Sequence, residues 1–405
     1  MEFFYLLLLF LPTQIGLHFW PAWSYVIGRK VDYLSPTIYF TDILILLIIV
    51  ISFKINYFKQ LLNFKSILVI LFIALNIYFS SIPLLAVYKW LKIFELFLLG
   101  VYIIKNINLK KDWQNIVKVL SIGIIFESLL CILQFLNQSS INGMFYWFGE
   151  RAFTISTAGI AKTTLEGIYL LRPYGTFSHP NALGGYLATL LPLVLVTDFK
   201  PMKIKWLAFV LGLSALFLTF SKTAFVIGFI GVVASWLMEK KIQIKYSSMI
   251  FITFIMFIII IGIFSNIPLE KESIERRISL NVTSLEIFQK KPILGVGLGN
   301  FIPNLPVYSK DKEVMRFLQP AHNIYLLILS ELGVLGLAVF ICILSSSLNN
   351  IKKNKKNIIS IQLLVSTVII LLLGLFDHYF ITLQQTQILF TIIVSLALIK
   401  YPHEV

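Results

Sequence analysis

The sequence predicts an all-α, polytopic integral membrane protein, and three observations carry that prediction. Of its 405 residues, 58% are hydrophobic and only 13% are charged, against about 25% charged in soluble domains. Apolar runs of about seventeen residues or more recur, each long enough to cross a hydrocarbon core of roughly 30 Å as a helix. The basic residues gather in short turns between those runs. Mean hydropathy is +0.88, so the excess apolar surface has to face lipid.

The runs place about twelve spans, at 3–19, 38–53, 66–85, 89–104, 116–136, 180–197, 205–220, 222–238, 247–268, 322–346, 358–376 and 384–400. The first contains MEFFYLLLLF. It has no basic leader and no clear small-residue cleavage site, so it reads as a retained span rather than a removed signal peptide. The connections after every second span are short and basic. They hold Lys54, Lys59 and Lys65; Lys105, Lys110 and Lys111; Lys200, Lys203 and Lys205; Lys240, Lys241 and Lys245; and Lys352, Lys353, Lys355 and Lys356. The positive-inside rule puts these turns, and both chain ends with them, in the cytoplasm.

The opposite side receives two long connections, 137–179 and 269–321 between spans nine and ten. Loops of this length usually carry function or are disordered. No fixed-period repeat is present, and 1–405 reads as one integral membrane domain. The net charge of +15 sits in the topology-setting turns, which argues against a nucleic-acid partner. Cys131 and Cys342 both lie in apolar runs and read as small buried hydrophobes.

Four polar stretches break the apolar pattern on the non-cytoplasmic side. In LRPYGTFSHPNALGGYL, Arg172 precedes a proline and is biased to extended backbone. Pro180 suits a first helical position, so a span starts near Ser178 or His179. Gly184 and Gly185 allow close helix packing. A guanidinium beside a helix N-terminus suits an anion; the plain alternative is an interfacial arginine. In SKTAF, Lys222 falls in a tight turn, where snorkelling competes with a phosphate contact.

ERRISLNVTSLEIFQKKPILGVGLGNF offers Arg276 and Arg277 as a second cation for a diphosphate, or as a solvated pair. Its Gly295, Gly297 and Gly299 suggest a flexible turn that lets a ligand approach the backbone. In PAHNIYLLILSELGVLGL, His322 stands at a helix start, where the neutral imidazole is favoured and can accept a hydroxyl proton. A polar cap is the ordinary reading. Glu331 suggests a partner for a basic residue on another helix. Asp377 and His378 mark the last outer turn, as substrate contacts or, preferably, helix caps. No H-x-x-x-H, C-x-x-C or D-x-D stands at this face, so the expectation is of no metal site. No Walker motif is present, and no cofactor is expected.

Taken in order, these four stretches resemble the O-antigen ligase and polymerase family of bacterial envelope enzymes. RPYGTFSHPNALGGYL resembles an Arg–x–x–Gly–Thr–Phe–x–(Asn/His)–Pro–Asn signature, with Arg172 as its arginine. SKTAF resembles a Ser–Arg pair in which Lys222 replaces the arginine. Spacing to Pro292 matches Arg276 to a further arginine ahead of a Pro–x–x–Gly–x–Gly segment, with Arg277 as a close competitor. His322 matches the histidine that leads the helix after the large external loop. The resemblance covers 170–345.

It implies a GT-C-like membrane glycosyltransferase in the bacterial cytoplasmic (inner) membrane, its site facing the outside or periplasm. The donor is a glycan on undecaprenyl diphosphate. The acceptor hydroxyl belongs to another glycan or to the lipid A–core of lipopolysaccharide. No metal or nucleotide takes part. Arg172, Arg276 and His322 would be catalytic, with Lys222, Arg277, His179, Asn181 and Asn323 touching substrate. The motifs do not separate ligase from polymerase. The alternative is a transporter or flippase of lipid-linked glycans, kept open by the intramembrane Glu95, Glu127 and Glu331. Transporters hold polar sites near mid-membrane, whereas these motifs cluster at one face.

Overall fold

The computed structural model describes residues 1–52, 64–165, 167–238, 271–354 and 357–400. The span expected at 247–268 lies outside these residues, as do Lys54, Lys59, Lys240, Lys241, Lys245, Lys355 and Lys356. The described helices are α1 (Glu2–Leu9), α2 (Phe40–Ser52), α3 (Phe64–Tyr78), α4 (Pro83–Asn106), α5 (Leu109–Asn137), α6 (Pro180–Val196), α7 (Met202–Leu218) and α8 (Lys222–Met238). They continue with α9 (Lys271–Lys290), α10 (Phe301–Tyr308), α11 (Lys312–Phe317), α12 (Ile324–Lys353), α13 (Ile358–Leu373), α14 (Tyr379–Thr382) and α15 (Gln384–Leu398).

Helices α5 and α12 are long and apolar enough to cross a bilayer, and α2, α6, α8, α13 and α15 are shorter apolar helices. Local sequence explains several starts. Asn108 accepts hydrogen bonds from the N–H groups of Lys110 and Lys111 at the head of α5. Asn357 accepts from Ile359 at the head of α13. Such caps satisfy donors that a helix cannot satisfy itself. Lys110 and Lys111 open α5, and Lys352 and Lys353 close α12. The motif-bearing starts of α6, α8 and α12 lie at the opposite helix ends.

Helix α6 is the centre of the bundle. It is buried along nearly its whole length and packs against α7, α8 and α13. The close approach needs glycine. A Cβ at Gly184 would stand 3.0 Å from Ala224 Cβ of α8, and one at Gly185 would collide with the Tyr379 ring. Cys131 is buried as expected, whereas Cys342 is exposed on apolar α12, contrary to the expectation for it.

Three sequence expectations change. The first span stops at Leu9 instead of running to 19, because Pro12 cannot continue a helix. The chain instead forms β1 (Gly16–His18), paired antiparallel with β4 (Thr37–Tyr39), and a small hairpin of β2 (Tyr25–Val26) and β3 (Arg29–Lys30). The fold is therefore mostly helical, not purely so. The connection at 137–179 is ordered, with a 3-10 helix at Gly143–Phe148 and a hairpin of β5 (Lys162–Leu165) and β6 (Ile168–Leu171). The connection at 269–321 contributes α9, α10 and α11.

The glycine turn of that second connection is held, not loose. Helix α12 breaks at Gly333, where φ is 64° and ψ is −166°. The break leaves carbonyls without their usual donors, and the turn supplies them. Val296 N–H donates to Ser330 O at 2.9 Å, and Gly297 N–H donates to Glu331 O at 3.0 Å. Val334 N–H donates back to Pro292 O at 2.8 Å. The Glu331 carboxylate accepts from the N–H groups of Gly299 (2.9 Å) and Phe301 (3.1 Å). Glu331 thus caps the start of α10, and it also faces the charge of Lys89 on α4, a basic residue on another helix as expected.

Gly333→Ala is expected to destabilise the protein by about 1–3 kcal/mol from backbone strain alone, with a further cost because its Cβ would collide with the Ile293 backbone. Gly28 also has positive φ, at 71°, but open space around it, so Gly28→Ala should cost less. Unfolding midpoints of the two variants in one detergent check the order.

Candidate functional site

Arg172 ends the β5–β6 hairpin region, and the bend after it is shaped by α5. Gln134 Oε1 accepts from the N–H groups of Tyr174 (2.9 Å) and Gly175 (2.8 Å). Glu127 Oε2 accepts from Thr176 N–H at 2.9 Å. Gly175 has φ +58°, and a Cβ there would strike the Glu127 carboxylate. Glu127 and Glu331 therefore each hold a motif segment by its backbone, while Glu95 pairs with Lys92 at 3.0 Å. The three intramembrane glutamates have structural partners.

From this bend Arg172 reaches over the head of α6. Its Nε donates to Thr219 O at 2.9 Å, and Nη2 donates to Asn181 Oδ1 at 2.6 Å. Asn181 Nδ2 in turn donates to Asp377 Oδ2 at 2.9 Å. One amide thus bridges the first motif to the last outer turn. Asn181, Ser221, Thr223, Ala224, Arg277, Leu373, Phe376, Asp377 and Tyr379 line a small, partly open cleft. Lys222 opens α8 between two of these residues.

Beside the cleft, His322, Asp377 and His378 place ligand-type atoms within 4.8 Å of one another. The His322 and His378 rings meet edge-on with centroids 5.0 Å apart, and Tyr33 packs against His378 at 5.5 Å. His378 N–H donates to Asp377 Oδ1 at 2.8 Å. Burial pushes the His322 pKa well below the ordinary imidazole range, with nearby Arg277 and His378 adding to this and Asp377 opposing it. Burial and Arg172 lower His179 to about 3, and burial lowers His378 to about 4. Burial pushes the Asp377 carboxyl up, but the surrounding imidazoles and Arg277 outweigh it and hold the group below the usual carboxylate range. The site therefore contains neutral imidazoles beside an ionised carboxylate.

The structure brings together Arg172, Asn181, Arg277 and His322 among the expected residues. It turns Arg276, the arginine matched by spacing, the other way: its guanidinium lies 4.2 Å over the Phe317 ring. Successive residues of a helix point about 100° apart, so only one of the pair faces the cleft. Arg277 also approaches Phe376 O at 3.4 Å. Two expected substrate contacts serve as helix caps. His179 Nδ1 accepts from Asn181 N–H at 3.1 Å. Asn323 Oδ1 accepts from the N–H groups of Tyr325 (2.9 Å) and Leu326 (3.1 Å), and its Nδ2 donates to Leu375 O at 3.2 Å.

Sequence reasoning favoured a capping role for Asp377 and His378 and did not see that they join His322. It also looked for metal ligands by local spacing, and this set spans more than fifty positions. The adjacent acid and histidine in GLFDHYF were the available signal.

Fold and site together define a helical membrane protein with an arginine-lined polar cleft at the bundle end away from its lysine-rich turns. The family model described as O-Antigen ligase matches residues 207–341. Over this stretch the chain is similar to that family, as its motifs suggested. The family is of the ligase and polymerase type of glycosyltransferase, acting in envelope polysaccharide synthesis. The matched stretch includes Lys222, Arg276, Arg277 and His322, and leaves Arg172, Asn181 and Asp377 outside it. No curated protein matches the chain.

Proposed function

We propose that the protein transfers a glycan from undecaprenyl diphosphate to an acceptor hydroxyl at the outer face of the bacterial cytoplasmic membrane. The observation that carries this reading is the linked set of Arg172, Asn181, Asp377, Arg277 and His322 around one cleft. The positive-inside rule supports its outward orientation, since the lysine-rich turns lie at the other bundle end.

The acceptor oxygen attacks the anomeric carbon, and the bond from that carbon to the diphosphate oxygen breaks. Arg172 and Arg277 hold the diphosphate and stabilise the charge that builds on the leaving group. Lys222 adds a point charge without the bidentate fork of arginine. Neutral His322 takes the acceptor's proton and becomes an imidazolium, which the ionised Asp377 stabilises. The two guanidinium groups supply the electrophilic role, so the proposed reaction needs no metal. The acceptor is a lipid A–core or a second lipid-linked glycan. The 170–345 segment, extended to Asp377, is the proposed core.

His322→Ala is expected to lower transfer about 10²–10⁴-fold in reconstituted membranes while the fold is kept; turnover equal to wild type removes the proposed base. Arg277→Ala is expected to lower transfer about 10²-fold or more, whereas Arg276→Ala should stay near wild type. Equal losses would return Arg276 to the site. Chelators are expected to leave transfer intact. Loss restored by added divalent metal would overturn the metal-free mechanism. Product size and linkage with candidate acceptors separate ligase from polymerase, and both from transport.

A further inference from the structure

The His322–Asp377–His378 cluster contains more electron-pair donors than its own hydrogen bonds use. His378 Nδ1 lies 2.7 Å from Thr382 Oγ1, and that hydroxyl also lies 3.1 Å from His378 O. A carbonyl oxygen only accepts. Both contacts are favourable only if the hydroxyl donates to the carbonyl and accepts from Nδ1–H. This fixes the tautomer. His378 Nε2 then carries the lone pair, and it stands 3.9 Å from Asp377 Oδ1.

His322 Nδ1 is buried and has no hydrogen-bond partner. Two imidazoles and a carboxylate thus place ligand-type atoms within 4.8 Å of one another, and neither His378 Nε2 nor the ionised carboxylate brings a proton to the cluster. An arrangement of this kind favours a cation. Asp377 is already oriented by Asn181 Nδ2 and by His378 N–H, and Thr382 orients His378. These are the outer hydrogen bonds that fix metal ligands in place.

We propose that His322, Asp377 and His378 form a binding site for zinc or a similar divalent transition metal, and that the bound metal blocks the proton acceptor of the transfer reaction. Two imidazoles and one carboxylate are a recognised zinc ligand set, with ligand bonds of about 2.0–2.2 Å and a fourth position left for water. Ligands at that bond length stand roughly 3.3 Å apart around a tetrahedral ion, so side-chain shifts of up to about 1.5 Å close the site. Phosphate-binding metals such as magnesium prefer oxygen ligands, so the imidazoles select against them. A metal on His322 occupies the lone pair that would accept the acceptor's proton. The binding half stands on the cluster's geometry alone; the inhibitory half also rests on the transferase reading.

The test titrates Co²⁺, as a spectroscopic stand-in for zinc, into the full chain in nanodiscs, purified through a tag free of histidine and stripped with EDTA. One equivalent is expected to produce the intense visible bands of four-coordinate cobalt, and Zn²⁺ is expected to abolish them. His378→Gln should weaken cobalt binding at least about tenfold. Thr382→Val, which removes the partner fixing the tautomer, should weaken it as well. Thermal unfolding of each variant reports whether it is folded, and Zn²⁺ should raise the midpoint of wild type but not of His378→Gln.

Absence of bands up to millimolar Co²⁺, or bands unchanged in folded His378→Gln, overturns the site. In the transfer assay Zn²⁺ should inhibit wild type reversibly, while His378→Gln keeps turnover and loses zinc sensitivity. Cobalt bands without zinc inhibition overturn the regulatory half. No transfer by metal-free wild type counts against the transferase reading, and the cobalt bands still decide the site.

Discussion

Backbone polar groups buried among apolar helices must find partners inside the protein, and two carboxylates meet that constraint here. Glu127 on α5 accepts from the backbone of the segment that carries Arg172. Glu331 on α12 accepts from the backbone after the glycine turn. Each motif segment is irregular, and each would bring unsatisfied N–H groups into the bundle without its carboxylate. Loss of such a partner leaves the buried donors unpaired, at about 1–3 kcal/mol each. The cleft therefore sits where it does because two helices offer acid side chains to two loops.

The same economy of partners shapes the cleft. Asn181 donates to a carboxylate and accepts from a guanidinium with a single amide. Placed between Arg172 and Asp377, it keeps them linked but apart. A direct ion pair would hold the guanidinium against the carboxylate instead of presenting it to an anion. The break in α12 works in parallel. It admits the glycine turn, places α9 beside the bundle, and so fixes which arginine of the adjacent pair faces Asp377. Two functional groups far apart in the chain are thereby positioned by backbone hydrogen bonds, not by loops alone.

Much of this was legible in the sequence. Pro180 did open a helix, Gly184 and Gly185 did admit close neighbours, and His322 does precede the start of α12. These are local rules, settled by a few consecutive residues. Others failed for physical reasons that lie elsewhere in the chain. The glycine turn read as flexible because its partner, the broken segment around Gly333, is more than thirty residues away. Glu331 read as the partner of a basic residue on another helix, and Lys89 meets that; its second role, accepting from the Gly299 and Phe301 N–H groups, was hidden because backbone donors do not advertise themselves in a sequence. The capping of α12 by Asn323 went unread, because a cap is recognised only once the helix start is placed. The run at 3–19 read as a span on hydropathy, and Pro12 overruled it.

Hydropathy, lysine placement and the motif residues determined, without coordinates, that this is a helical membrane protein with its polar chemistry gathered at one end. Those properties depend on composition and on neighbours within a turn or two. Only the tertiary structure decided that Arg277 rather than Arg276 faces the cleft, and that Asp377 and His378 stand beside His322. Helix rotation and long-range packing set those choices. A rotation of about 100° separates adjacent helical residues, and no local pattern in an arginine pair reveals which one the bundle turns inward.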